Sequence, residues 1–175
     1  EAYSQLGYVA GLARMPAVAE RYFARALATA ESTGDVLGWI KTRYTVAAYQ
    51  IGLGGWDLAR TEAAAAQARA RELRNPQEVE VGHTILGHVD FCVGDLAGSR
   101  QASQALLDSA RARANKQHEA WGLYTVGRAD LYADRLEDAL AGFEQAAARL
   151  ADLRDHASSI LCGGLHAWAV ARAGD

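Results

Sequence analysis

The side chains with chemical potential in this chain are five histidines, two cysteines and two carboxylates in matching places. His88 and Cys92 stand four residues apart, a spacing that puts both on one helical face and would let them share a metal ion. A structural zinc site needs four ligands, and neither His83, His118, His156 nor His166 supplies the spacing that would complete one. The pair therefore reads as a partly exposed imidazole above a packed thiol, and neither a metal nor any other cofactor is expected. Asp90 and Asp130 lie forty residues apart. Paired carboxylates doing general acid–base work sit about 5–10 Å apart. On helices stacked at 8–10 Å per layer, these two would be roughly 20 Å apart. Each is expected instead to accept backbone N–H groups at the start of the following helix. No motif around Ser99, Ser103 or Cys162 resembles a nucleophile elbow. The chain holds no G-x-x-x-x-G-K-[ST] phosphate loop. No catalytic residue is assigned, and the chain is expected not to be an enzyme.

The elements that hold these groups follow from composition. Of 175 residues, half are apolar, 38 are Ala and only Pro16 and Pro76 are Pro, which points to helices around one substantial core. The net charge of −3 excludes a strongly basic nucleic-acid surface for the chain as a whole. No apolar run approaches about 18 residues, so no membrane span is expected, and no signal-peptide pattern opens the chain. Two cysteines do not make a disulfide framework, so Cys92 and Cys162 read as reduced, buried thiols of a cytoplasmic protein. Glu1 falls inside a helical pattern, as in a fragment of a larger protein. Sixteen Arg against Lys41 and Lys116, with the Ala and Gly content, read as the composition of a GC-rich bacterial genome.

The sequence repeats every forty residues. Small residues recur at Gly7, Ala47, Gly87, Gly127 and Ala167, and again at Ala19, Ala59, Ser99 and Ala139. Turn residues recur at Arg14, Gly54, Gly94, Asp134 and Gly174, and Asx residues at Asp35, Asn75, Asn115 and Asp155. Each unit reads as two helices. First helices are expected near 1–13, 36–52, 76–92, 116–133 and 156–173, and second helices near 16–33, 56–73, 96–114 and 136–152. The Asx set is expected to end one helix in the left-handed conformation and to cap the next. Leu123, Val126 and Gly127 on one helix face Ala139, Phe143 and Ala146 on its partner, all at spacings of three and four. Early acids and late arginines in the second helices suit the helix dipole, so the arginines are read as dipole partners and nucleic acid is disfavoured.

The paired helices, the small residues and the turns Gly54–Ala59, Gly94–Ser99 and Asp134–Ala139 resemble the tetratricopeptide repeat. Gly127, Ala139, Phe143 and Ala146, and likewise Gly7, Ala19, Phe23 and Ala26, stand at that motif's small and aromatic positions. Ser99, Ser103 and Leu106 depart from it in the third unit. The forty-residue period is longer than the usual thirty-four, and is similar to repeat arrays at the C-terminal ends of large bacterial ATPase–adenylate cyclase fusions and ATPase-type transcription activators. The resemblance implies an all-α right-handed α-solenoid of helix-turn-helix repeats, a single domain over 1–175 with units near 1–35, 36–75, 76–115 and 116–155 and a half unit at 156–175. It implies a protein- or peptide-binding scaffold in a cytoplasmic regulator; small-molecule sensing that switches attached domains, or dimerisation, are the alternatives.

In such a superhelix the first helices line the concave groove where partners bind. Trp121, Tyr124, Arg128 and Tyr132 follow spacings of three, four and four on one face. Lys41, Tyr44, Thr84 and His88 hold matching positions on neighbouring first helices, and Trp168 follows one repeat later. Aromatics and Arg dominate binding energies. A buried guanidinium is costly, so Arg128 is expected at the solvent, where it would hold an acidic or carboxylate group of the partner. Packing of these aromatics between repeats is the competing reading. The last helix lacks a following partner, which leaves Leu165, Ala169 and Val170 uncovered and predicts self-association through that end.

Overall fold

A computed structural model describes residues 2–174. Among them are nine α-helices and no strand: α1 (Ala2–Leu12), α2 (Pro16–Thr33), α3 (Val36–Leu53), α4 (Trp56–Glu72), α5 (Pro76–Cys92), α6 (Leu96–Ala112), α7 (Lys116–Tyr132), α8 (Leu136–Leu153) and α9 (His156–Ala173). Among the described residues no helix is long and apolar enough to cross a membrane. The chain forms two compact units, residues 1–89 and 90–175, with the boundary inside α5.

The turns obey one rule. A residue with positive φ, between +51° and +83°, recurs every twenty positions: Arg14, Gly34, Gly54, Arg74, Gly94, Ala114, Asp134 and Arg154. At each, the next residue donates its N–H to the carbonyl five residues back, as in Asp35 to Ala30 (2.9 Å), Asn115 to Ala110 (2.9 Å) and Asp155 to Leu150 (3.1 Å). This closes the helix end and satisfies a carbonyl that would otherwise lack a partner. The Asx residues do only half of their expected work. Asp35, Asn115 and Asp155 keep φ near −80°, and the left-handed residue is the one before each. Their side chains cap the next helix, accepting from the N–H of Gly38 (2.8 Å), His118 (3.2 Å) and Ser158 (3.1 Å); Asn75 accepts likewise from Glu78 (3.3 Å). Such a cap is worth about 1 kcal/mol.

In the first unit α1 packs against α2 and α3, and α3 against α4. Phe23, Ala19 and Tyr49 fill one buried cluster there, and Ile40, Tyr44, Ala47, Ala63, Ala66 and Ala70 fill a second. In the second unit α6, α7, α8 and α9 pack in chain order, and α7 also touches α9. Its core holds Leu107, Leu123, Leu131, Phe143, Leu150 and Cys162. The close approaches depend on missing side chains. A Cβ on Gly7 would lie 2.7 Å from the Phe23 ring, and one on Gly127 would lie 3.1 Å from Phe143 Cε1. These are the same contact, three periods apart. The departing third unit is still buried: Ser99, Ser103 and Leu106 are all shielded.

Candidate partner-binding face

Within the second unit, one continuous chain of contacts joins four of the expected site residues. Tyr132 is 47 % exposed, and its ring stands edge-on to Phe91 (4.8 Å, 86°) and to Trp168 (5.2 Å, 75°). Arg128 lies under this ladder, its guanidinium carbon 4.1 Å from the Phe91 ring centre and 6.0 Å from that of Tyr124. Trp168, 40 % exposed, has Arg172 above it at 5.7 Å. Arg172 is itself anchored, donating to Asp134 Oδ1 (2.6 Å) and to the Leu131 carbonyl (3.2 Å). Perpendicular rings put the positive edge of one on the negative face of the next, and cations over the faces add to that attraction.

The expectation that Arg128 reaches solvent is corrected by its burial, 8 % exposed. The cost of burying the guanidinium is offset by the Phe91 and Tyr124 rings beside which it lies. Burial lowers the pKa of Arg128 and raises that of the Tyr124 hydroxyl. Arg128 therefore organises the ladder from beneath. Tyr124 is half-buried against the core, with Phe143 at 6.4 Å. Trp121, also half-buried, stands apart from the ladder: it stacks on His118 at 5.3 Å and donates its indole N–H to Asp155 Oδ2 at 3.4 Å.

In the first unit the matching residues are built into the packing. Tyr44 is buried and donates its hydroxyl to the Glu78 carbonyl at 2.6 Å, and burial pushes its pKa well above the usual tyrosine value. Thr84 is half-buried and donates to the Glu80 carbonyl at 3.1 Å. Lys41 and His88 are half-buried. Of the nine residues assigned to the face, Tyr132 and Trp168 are the ones that present large apolar area to solvent.

Phe91 was missed by the sequence reading, because nothing in the forty-residue register marks its position. Arg128 and Trp168 share one repeat position, and Tyr132 and Arg172 share another. Arg and aromatic thus exchange places between α7 and α9, while the rings that meet the cations are Phe91 and Tyr124 for Arg128 and Trp168 of the same helix for Arg172.

Three further expectations meet the structure. Asp130 does not cap the following helix; it is 1 % exposed and its Oδ1 takes Arg100 Nε (2.7 Å) and Arg135 Nε (2.8 Å). Two charged donors satisfy a buried carboxylate better than one amide does. Both cysteines are free, but only Cys162 is buried; Cys92, at the end of α5, is exposed. On α9, Ala169 is buried and Leu165 half-buried against the core, whereas Val170, Ile160 and Leu161 are exposed. Among the described residues no group of three or more His, Cys, Asp or Glu is placed to hold a metal ion. No family model matches the chain, and no curated protein matches it.

Proposed function

We propose that the chain is a tetratricopeptide-like helical-repeat array that binds a peptide or protein segment as part of a larger regulatory protein, and that it is not itself an enzyme. The supporting observation is the ladder Phe91–Tyr132–Trp168. Exposed aromatics held rigid by neighbours lose little entropy on binding and offer large contact area with a polar handle. The twenty-residue recurrence of left-handed turns and the paired Gly–Phe contacts support the repeat reading. The test is a peptide array probed with the intact protein, followed by titration of the best peptide against Tyr132→Ala and Trp168→Ala. Both residues are exposed, so melting temperature should hardly move while affinity falls by roughly tenfold or more for each, as for central interface aromatics. Unchanged affinity in both variants would refute this face.

A second reading, self-association through α9, is favoured by Ile160, Leu161 and Val170, which are 75 %, 60 % and 52 % exposed. Sedimentation should then show a concentration-dependent dimer that Ile160→Glu abolishes. A clean monomer at high concentration would remove this reading.

A further inference from the structure

Asp130 lies on the last turn of α7, and Arg135 is the cap residue at the start of α8. Arg135 alone meets Asp130 through two nitrogens, Nε at 2.8 Å and Nη2 at 2.7 Å from Oδ1. That pair is already neutral, and it fastens the α7–α8 turn. Arg100, thirty residues earlier on α6, nevertheless adds a second guanidinium to the same oxygen at 2.7 Å. The trio therefore carries one uncompensated positive charge. Both arginine side chains are about two-fifths exposed, 41 % and 42 %. Arg100 meets Asp130 through Nε and Arg135 through Nε and Nη2, so each keeps further terminal N–H groups that Asp130 does not use. Both line a cleft of about 700 Å³ that runs along α6. The amides of Gln101 and Gln104 line the same cleft. The acid within it, Asp108, stands two turns further along α6 and accepts from Gln104 at 2.8 Å. Glu137 and Asp138 line a different hollow together with Arg135.

The geometry points to a binding site for a single carboxylate group on a small hydrogen-bonding molecule, held by Arg100 and Arg135 and read along the cleft by Gln101 and Gln104. Asp130, buried and immobile, is the positioning residue: it fixes both guanidiniums before the ligand arrives, which removes part of the entropy cost of binding. Guanidinium hydrogens in a planar fork match a carboxylate's two oxygens. One negative charge brings the trio to neutrality. A phosphate dianion would overshoot it, with Asp108 already lining the cleft. This site is separate from the aromatic ladder and stands or falls without it.

The experiment titrates the intact protein by calorimetry with acetate, N-acetylalanine, inorganic phosphate and an end-blocked pentapeptide holding one internal glutamate. N-acetylalanine should bind saturably, tighter than acetate because its amide reaches the glutamines, and tighter than phosphate. Arg100→Gln and Arg135→Gln should each weaken it roughly tenfold, the loss expected for one charge-assisted hydrogen bond. Arg21→Gln, an exposed arginine in the other unit, should leave it unchanged. Amide NMR of the unaltered protein guards against a variant that does not fold: the N–H signals of Gln101 and Gln104 should move with N-acetylalanine. Absence of saturable binding, tighter binding of phosphate, binding undiminished in either arginine variant, or unmoved Gln101 and Gln104 signals would each overturn the proposal. Tighter binding of the pentapeptide would overturn the small-molecule assignment.

Discussion

Replacing Gly122 with Ala adds one methyl group at a close approach of α6 and α7. A Cβ there would lie 2.9 Å from both Cα and Cβ of Leu107 and 3.1 Å from its backbone N. The obstacle is backbone, which cannot swing aside as a side chain tip does, so α6 and α7 must separate by several tenths of an ångström. Overpacking of this kind costs about 1–3 kcal/mol. Against it stands the helix preference of Ala over Gly, about 1 kcal/mol. The net loss should be up to about 2 kcal/mol, or up to roughly 8 °C in melting temperature for a chain of this size. Gly163 on α9 provides the reference, because nothing lies within 4 Å of its added Cβ. Gly163→Ala should gain up to about 1 kcal/mol from the same preference alone. Urea unfolding of both variants, at equal slope, measures the difference between them, which is the packing term free of propensity. A Gly122→Ala protein as stable as Gly163→Ala would refute the close crossing of α6 and α7.

Three further outcomes are expected. Ala114 holds φ +54° where Gly34, Gly54 and Gly94 stand at other turns, so Ala114→Gly should stabilise by up to about 1 kcal/mol in chemical unfolding, whereas an unchanged or lower midpoint would count against strain there. Burial, and secondarily the charge of Arg71, lower the pKa of His83 below its ordinary 6.5, so the unfolded chain takes up the proton first; stability should fall as pH drops below about 6.5, and His83→Gln should flatten the melting temperature between about pH 6.5 and about pH 5. Cys92 is exposed while Cys162 is buried with its thiol pKa raised by that burial, so a thiol reagent should modify Cys92 rapidly and Cys162 only on unfolding; equal rates followed by mass spectrometry would contradict the core placement of Cys162.

The helices were legible because their ends are decided locally. A Gly or Asx at the turn and a left-handed residue twenty positions on from the last need no knowledge of distant neighbours, so most expected bounds fall within two residues of those found. The Gly127–Phe143 contact was also legible, since small and large residues at fixed spacing in one hairpin leave one way to interlock. The aromatic face was less so. Whether Arg128 meets solvent depends on Phe91, thirty-seven residues away on another helix, and the repeat pattern gives that position no special character. The fate of Asp130 depends similarly on Arg100, thirty residues earlier. Side-chain pairings across helices are chosen by rotamers and local volume, which spacing alone leaves open. The separation at residue 89 also left no mark in composition, because it falls inside a helix whose pattern runs on uninterrupted.

The evenly spaced left-handed turns give the chain a parity. Cutting out twenty residues from one positive-φ position to the next, for instance from Gly34 to Gly54, rejoins a helix end to an acceptable turn, because the same backbone geometry exists on both sides of the scar. The junction is locally correct, yet every later helix now occupies the slot of the opposite kind. Phe23 on α2, which packs against Tyr49 of the excised helix, would face the wrong neighbour. Cutting out forty residues restores both. Length changes in this architecture are thus quantised in helix pairs, and an odd-numbered loss would betray itself in packing while leaving helix content intact.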